Sequence, residues 1–189
     1  MTLIDIKIEY ILKIIMKLII NKIKFFLILI FALFAFSVNS EEARKIDNDH
    51  EFNFYTGMFD FSDDKQKAGI IGFPHQNDDL YRESFLGKLS PITGGFLTEN
   101  SAFYLYTGAQ TEFELGSIII TPSFAPGYYN SGDGKDLGHV LEFKSEVQMS
   151  LNLSDSTQFG MSYNHISNAS LGDKNPGANS YMINFLKQF

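Results

Sequence analysis

Two side chains near the C-terminal end are spaced for joint chemistry. His165 and Ser167 lie in the segment 157–180, TQFGMSYNHISNASLGDKNPGANS. On a β-strand, residues i and i+2 project from the same face. An imidazole placed there can take the serine hydroxyl proton and make the oxygen a nucleophile toward an acyl carbonyl. Phe159, Met161 and Tyr163 share this parity, so the pair belongs to an apolar face. If that face meets lipid, a polar pair on it is costly unless it sits near the interface or is used. The plainer alternative is a His and a Ser that end a strand at an interface and do no chemistry.

Other candidate groups read more simply. His139 shares parity with Leu141 and is expected at an interface, while His50 and His75 stand isolated. No His, Asp or Glu spacing suggests a metal site, so no metal is expected. Gly132-Asp133-Gly134 reads as a turn without phosphate-loop context, and no cofactor is implied. The 189 residues include no Cys, which excludes a thiol nucleophile, a cysteine zinc site and a disulfide framework. A formal charge of −7 argues against a nucleic-acid partner, which would want a basic stripe.

The elements that position the pair read as strands. Turn residues recur at 62–64, 76–79, 99–100, 131–134 and 154–155, and between them the pattern has period two. The clearest stretch is 137–153, with Leu137, His139, Leu141, Phe143, Val147, Met149, Leu151 and Leu153 on one face. Segment 102–115 repeats the pattern. Eight strands are expected: 50–61, 67–75, 81–91, 94–99 running into 102–115, 116–129, 137–153, 156–168 and 179–189. A soluble sandwich or lipocalin-type barrel also alternates. However, seventeen alternating residues exceed the usual length of soluble strands and suit a tilted transmembrane strand with an extension. A mean hydropathy of −0.05 is compatible with this, since only alternate residues of such strands are apolar. The final strand ends Tyr181, Ile183, Phe185, Lys187, Phe189, a terminal aromatic pattern that resembles the assembly signal of outer-membrane barrels. The expected fold is all-β, an eight-stranded antiparallel transmembrane β-barrel of the bacterial outer membrane.

The N-terminal segment supports export. Lys17, Lys22 and Lys24 precede the uncharged run 25–36, followed by Ser37-Val38-Asn39-Ser40. A basic region, an apolar core and a small-residue site make a signal peptide over 1–40, with Met16 the better start and cleavage after Ser40. The competing reading is a membrane anchor, for which twelve apolar residues are short. The barrel domain is then 41–189. In an even-stranded barrel both termini face the periplasm and the longer loops lie outside. The seventh strand runs outward, so His165 and Ser167 reach the outer-leaflet level, where lipopolysaccharide is the main lipid. That placement suggests an esterase acting on acyl chains within the bilayer.

The run His165-Ile166-Ser167-Asn168-Ala169, then Asn175-Pro176-Gly177, then an aromatic terminal strand, resembles the outer-membrane lipid A 3-O-deacylase family, PagL-like and of acyloxyacyl-hydrolase type. Asp136-Leu137-Gly138 and Glu142-Phe143-Lys144-Ser145 also look similar to the family's sixth strand. The resemblance implies Ser167 as nucleophile and His165 as general base. It implies an oxyanion hole from the Asn175 side chain and the main-chain amide of Ser170, where the family usually has Gly. It places Asn179 where the family has a Glu that orients the histidine. An amide carbonyl can still accept from the imidazole N–H but cannot stabilise imidazolium by charge. Asp173 is the nearest carboxylate in sequence. The implied function is hydrolysis of the 3-O-linked hydroxyacyl chain of lipid A in the outer leaflet. The implied partners are lipopolysaccharide and the outer membrane, with a homodimer left open. The alternatives are a non-catalytic structural or adhesive barrel of the same fold and a soluble exported lipid-binding barrel.

Overall fold

The computed structural model describes residues 50–189; the export segment expected over 1–40 lies outside the described residues. The chain there is almost all strand: β1 (His50–Phe59), β2 (Ala68–Gly72), β3 (His75–Asn77), β4 (Arg82–Ser84), β5 (Gly87–Thr98), β6 (Phe103–Thr111), β7 (Phe113–Leu115), β8 (Ile118–Asn130), β9 (Leu141–Ser154), β10 (Thr157–Ser167) and β11 (Ala178–Gln188). The only helical element among the described residues is one 3-10 turn, Asp78–Leu80. β2 and β3 both pair with β1 and form one stave, interrupted where Pro74 lacks a donor. β6 and β7 likewise share β8, and β4 folds back on the start of β5. β11 pairs with β1 and closes an eight-strand antiparallel barrel.

The two faces explain the alternation. Outward along β9 and β10 stand Val147, Met149, Leu151, Phe159 and Met161, each between 45% and 60% exposed. Inward stand Gln148, Ser150, Gln158, Ser162 and Asn164, all buried. An apolar exterior around a polar interior is the inverse of a soluble barrel and fits a bilayer. Several of the interior polar groups pair with one another. Asn53 Nδ2 donates to Gln148 Oε1 at 3.0 Å and to Asn184 Oδ1 at 3.2 Å, and Asn184 Nδ2 donates to Ser162 Oγ at 2.9 Å. Buried Lys144 lies 3.3 Å from Glu146 Oε2 and 4.1 Å from the Tyr106 ring centroid. Toward the outer rim the filling turns apolar, with Phe59, Ile70, Phe96, Leu137, Ile166 and Met182 in one cluster. The site therefore rests on a solid plug.

Three strand boundaries differ from expectation. The third stave is residues 87–98, not 81–91, and the fourth begins at Phe103. Pro91 and two consecutive glycines blurred the period there, and the turn at 99–102 separates strands that the sequence pattern runs together. The sixth begins at Leu141, not 137. Gly138 adopts φ +94°, which breaks the pleat, so Leu137 turns into the core and His139 stays in the loop. His50 and His75 are not isolated: the β1–β3 pairing stacks their rings, with Nδ1 and Nε2 3.1 Å apart.

Met161 lies midway along β10 on the lipid face. Met161→Arg should destabilise the barrel by about 2–4 kcal/mol, read by denaturant unfolding in lipid vesicles.

Candidate active site

The register between β10 and β11 sets His165 directly opposite Asn179. Cross-strand partners on one face bring their Cβ atoms to about 5 Å. His165 Nδ1 and Asn179 Oδ1 are 2.8 Å apart, so Nδ1–H donates to the amide carbonyl. This leaves Nε2 as the basic nitrogen. Tyr163, one pleat below, donates its hydroxyl to the same Oδ1 at 2.8 Å. Ser167 follows His165 on the same face, roughly 7 Å along the strand, and is half-buried opposite Phe143. Phe61, Tyr163 and Tyr181, each 40% to 48% exposed, form an aromatic floor toward the lipid.

The loop after Ser167 is built around Asn168, which is fully buried. Its Nδ2 donates to the carbonyls of Leu137 at 2.8 Å and Lys174 at 2.9 Å. Its Oδ1 accepts from the Ser170 amide at 2.9 Å, and its own amide donates to Asn175 Oδ1 at 3.1 Å. One side chain thus ties the end of β10 to the loops 131–140 and 168–177. With Oδ1 of Asn175 engaged, its Nδ2 is the end left to donate to an oxyanion. The Ser170 amide, expected as the main-chain donor, is committed to Asn168 in the resting loop. Ala169 and Ser170 have φ of 52° and 67°, a left-handed pair that costs non-glycine residues energy. A glycine at 170 would adopt this conformation without that cost. Gly177, at φ +64°, lies so close that a Cβ would fall 2.9 Å from His165 Cε1; the loop packs against the Cε1–Nε2 edge of the imidazole.

Lys174 reaches Asp136 at 2.7 Å and links the two loops at the surface. The hydrogen bond from Lys174, helped by the Gly138 amide, holds the Asp136 carboxyl below the usual carboxylate range. A lowered pKa means that the link is present above about 4 and is lost on further acidification.

Sequence order misled on one point. No hydrogen bond or ion pair among the described residues connects Asp173 with His165 or Asn179. The carboxylate that reaches Asn179 is Asp60, in the turn after β1, whose Oδ1 accepts from the Asn179 amide at 3.4 Å. Neither Asp60 nor its neighbour Ser62 carries a local signal, because the barrel closure brings them in from 119 and 117 residues away. Among the described residues no group of three or more His, Asp or Glu is arranged to hold a metal ion.

A closed barrel with an apolar exterior and a Ser-His pair on its outer rim defines an integral outer-membrane protein with a candidate acyl-transfer site facing lipid. The family described as lipid A 3-O-deacylase (PagL) matches residues 75–187. The chain belongs to that family, and its place is the outer membrane. The crystal structure of the outer membrane enzyme PagL is similar at a TM-score of 0.56 and 20% identity, covering 72% of this chain and 98% of that one. A de novo designed transmembrane β-barrel is similar at a TM-score of 0.53 and 9% identity, covering 79% and 100%. These likenesses show the fold. No curated relative matches.

Asn168→Ala would strip the loop of its buried ties. Expected is a loss of about 1–3 kcal/mol in unfolding free energy, together with faster proteolysis within 131–140 and 168–177.

Proposed function

We propose that this chain is a serine esterase that removes the 3-O-linked hydroxyacyl chain of lipid A in the outer leaflet. The observation that carries this reading is the 2.8 Å contact between His165 Nδ1 and Asn179 Oδ1, on the face that also presents Ser167. Holding Nδ1–H fixes the tautomer in which Nε2 can accept a proton. Substrate binding draws Ser167 Oγ to Nε2, since catalytic hydrogen bonds commonly tighten only in the complex. The Ser167 proton passes to His165 as Oγ attacks the ester carbonyl. Asn175 Nδ2 donates to the oxyanion. The sugar hydroxyl leaves with the proton from His165. Water, deprotonated by the same imidazole, then releases the 3-hydroxy fatty acid. The aromatic floor of Phe61, Tyr163 and Tyr181 suits an acyl chain that never leaves the bilayer. The 3-position comes from family membership; no residue selects it.

Export through the segment 1–40 belongs to the same proposal. N-terminal sequencing of the membrane form should begin at Glu41. Nothing among the described residues supports a homodimer.

The test is expression in a host of known lipid A, read by mass spectrometry. The parent chain should remove one hydroxyacyl group, and Ser167→Ala should leave lipid A intact at equal barrel yield. Asn175→Ala should lower kcat by about 10²–10³. Unchanged lipid A beside a well-folded parent barrel would overturn the reading.

A further inference from the structure

At the outer end of the barrel seam one rung is not made by two backbones. The β1–β11 register pairs Met58 with Tyr181, so its continuation sets Asp60 opposite Asn179. In an antiparallel ladder, facing residues alternate between pairs that exchange both main-chain hydrogen bonds and pairs that exchange none. Asn179 bonds toward β1, so its pairing with His165 on the β10 side is of the second kind, with close side chains and no main-chain bond between the two. Yet β1 ends at Phe59, and Asp60 turns the chain away at φ +50°. Two groups of the turn take the place of the missing strand. The Phe61 amide donates to the Asn179 carbonyl at 3.0 Å. The Asn179 amide donates to Asp60 Oδ1 at 3.4 Å. Both contacts have fixed polarity, since a main-chain N–H only donates and a carboxylate only accepts.

We propose that Asp60 is a positioning residue: its carboxylate replaces a rung of the ladder and, with Lys135, holds residue 179 within reach of His165. A buried carboxylate needs a cation, and Asp60 is buried. Lys135 Nζ lies 2.5 Å from its Oδ2 and 3.6 Å from Oδ2 of Asp63, three residues on. Lys135 is tied down in turn, because the Tyr129 hydroxyl donates to its carbonyl at 2.7 Å. The loop 131–140 thereby braces both halves of the site. Through Lys135 and Asp60 it steadies the residue beside the histidine. Through the carbonyl of Leu137 it holds Asn168, the anchor of the loop that carries Asn175.

The kinetic arm of the test rests on the deacylase reading; the exchange arm does not. With the full chain refolded in detergent micelles and given lipid A, Asp60→Ala should lower kcat by about 10- to 100-fold, the scale of a 1 Å misplacement, with KM unchanged. Lys135→Met should lower kcat too, because it leaves the buried carboxylate without its cation. Adding Asp60→Asn to Lys135→Met should recover most of that loss. The amide oxygen can still accept from the Asn179 N–H, which only donates, and no buried charge remains. Adding Asp60→Ala instead should recover nothing. An unchanged kcat in Asp60→Ala, or a Lys135→Met chain that Asp60→Asn fails to rescue, overturns the proposal. Independently, hydrogen exchange at the Asn179 amide should be slow in the parent and about 10-fold faster or more in Asp60→Ala, with the Asn184 amide unaffected. Fast exchange at Asn179 in the parent, no acceleration in the variant, or an equal rise at Asn184 overturns it. A chain with the expected exchange pattern that leaves lipid A untouched would sink the deacylase reading and keep the positioning of residue 179.

Discussion

The structure depends first on a rule of the hydrocarbon phase: every backbone N–H and C=O in it must find a partner within the protein. The sheet can satisfy this only by closing, and it closes where β11 pairs with β1. Closure removes freedom from every register in the ring. Once β11 is pinned on one side to β1 and on the other to β10, the position of Asn179 is no longer a local matter. It must face His165, and it must also lie beside the turn that follows β1. The same ladder that makes the protein insoluble in water therefore assembles the site. A soluble hydrolase has to place its histidine and its orienting residue with loops. Here adjacent strands do it, and only Asn175, the proposed oxyanion donor, comes from a loop.

The interior serves this arrangement by packing closely beneath the site. Polar side chains in the middle of the barrel pair with each other, and the apolar cluster beneath the outer rim closes the end under the site. Leu137 and Ile166 belong to that cluster, and Asn168 sits fully buried against the carbonyl of Leu137. The loop that bears Asn175 is thereby fastened from below. A site on the outside of a barrel gains precision from the packing of its inside, which never meets the substrate.

Much of this was legible in the sequence because alternation is a direct consequence of lipid outside and polar filling inside. The stretch 141–153 and the last strand announced their faces residue by residue. The boundaries failed where the period was broken for a physical reason: Pro91 and the paired glycines inside β5, and the left-handed Gly138 ahead of β9. The Ser-His pair and Asn175 could be found as a local motif, and the fold does bring His165 to Asn179. Asp60 and Ser62 were out of reach. A turn containing Asp and Ser is an ordinary turn until closure sets it beside residue 179, and no local pattern encodes that meeting. The pairing of His50 with His75 was hidden in the same way, by a cross-strand register. Ser170 illustrates a subtler loss. The residue type can be read from the sequence, but not that the chain passes through it at positive φ with its amide already engaged.

These contacts separate two services that a carboxylate renders a catalytic histidine. One is choice of tautomer; the other is a negative charge beside the imidazolium that forms as the proton moves. In serine proteases with a Ser-His-Asp triad, exchanging the orienting Asp for Asn costs about 10⁴ in kcat through the wrong tautomer. At Asn179 three side chains bind the amide: Ser62 stands against its NH2 group, and a phenol and an imidazole stand against its carbonyl. With its carbonyl toward the imidazole, Asn179 can serve tautomer choice, but it cannot supply the charge. At the edge of a bilayer that loss is partly offset, because a carboxylate flanked by Phe61, Tyr163 and Tyr181 would have to stay ionised beside hydrocarbon, whereas an amide makes no such demand. A neutral orienting group suits a histidine placed where water ends.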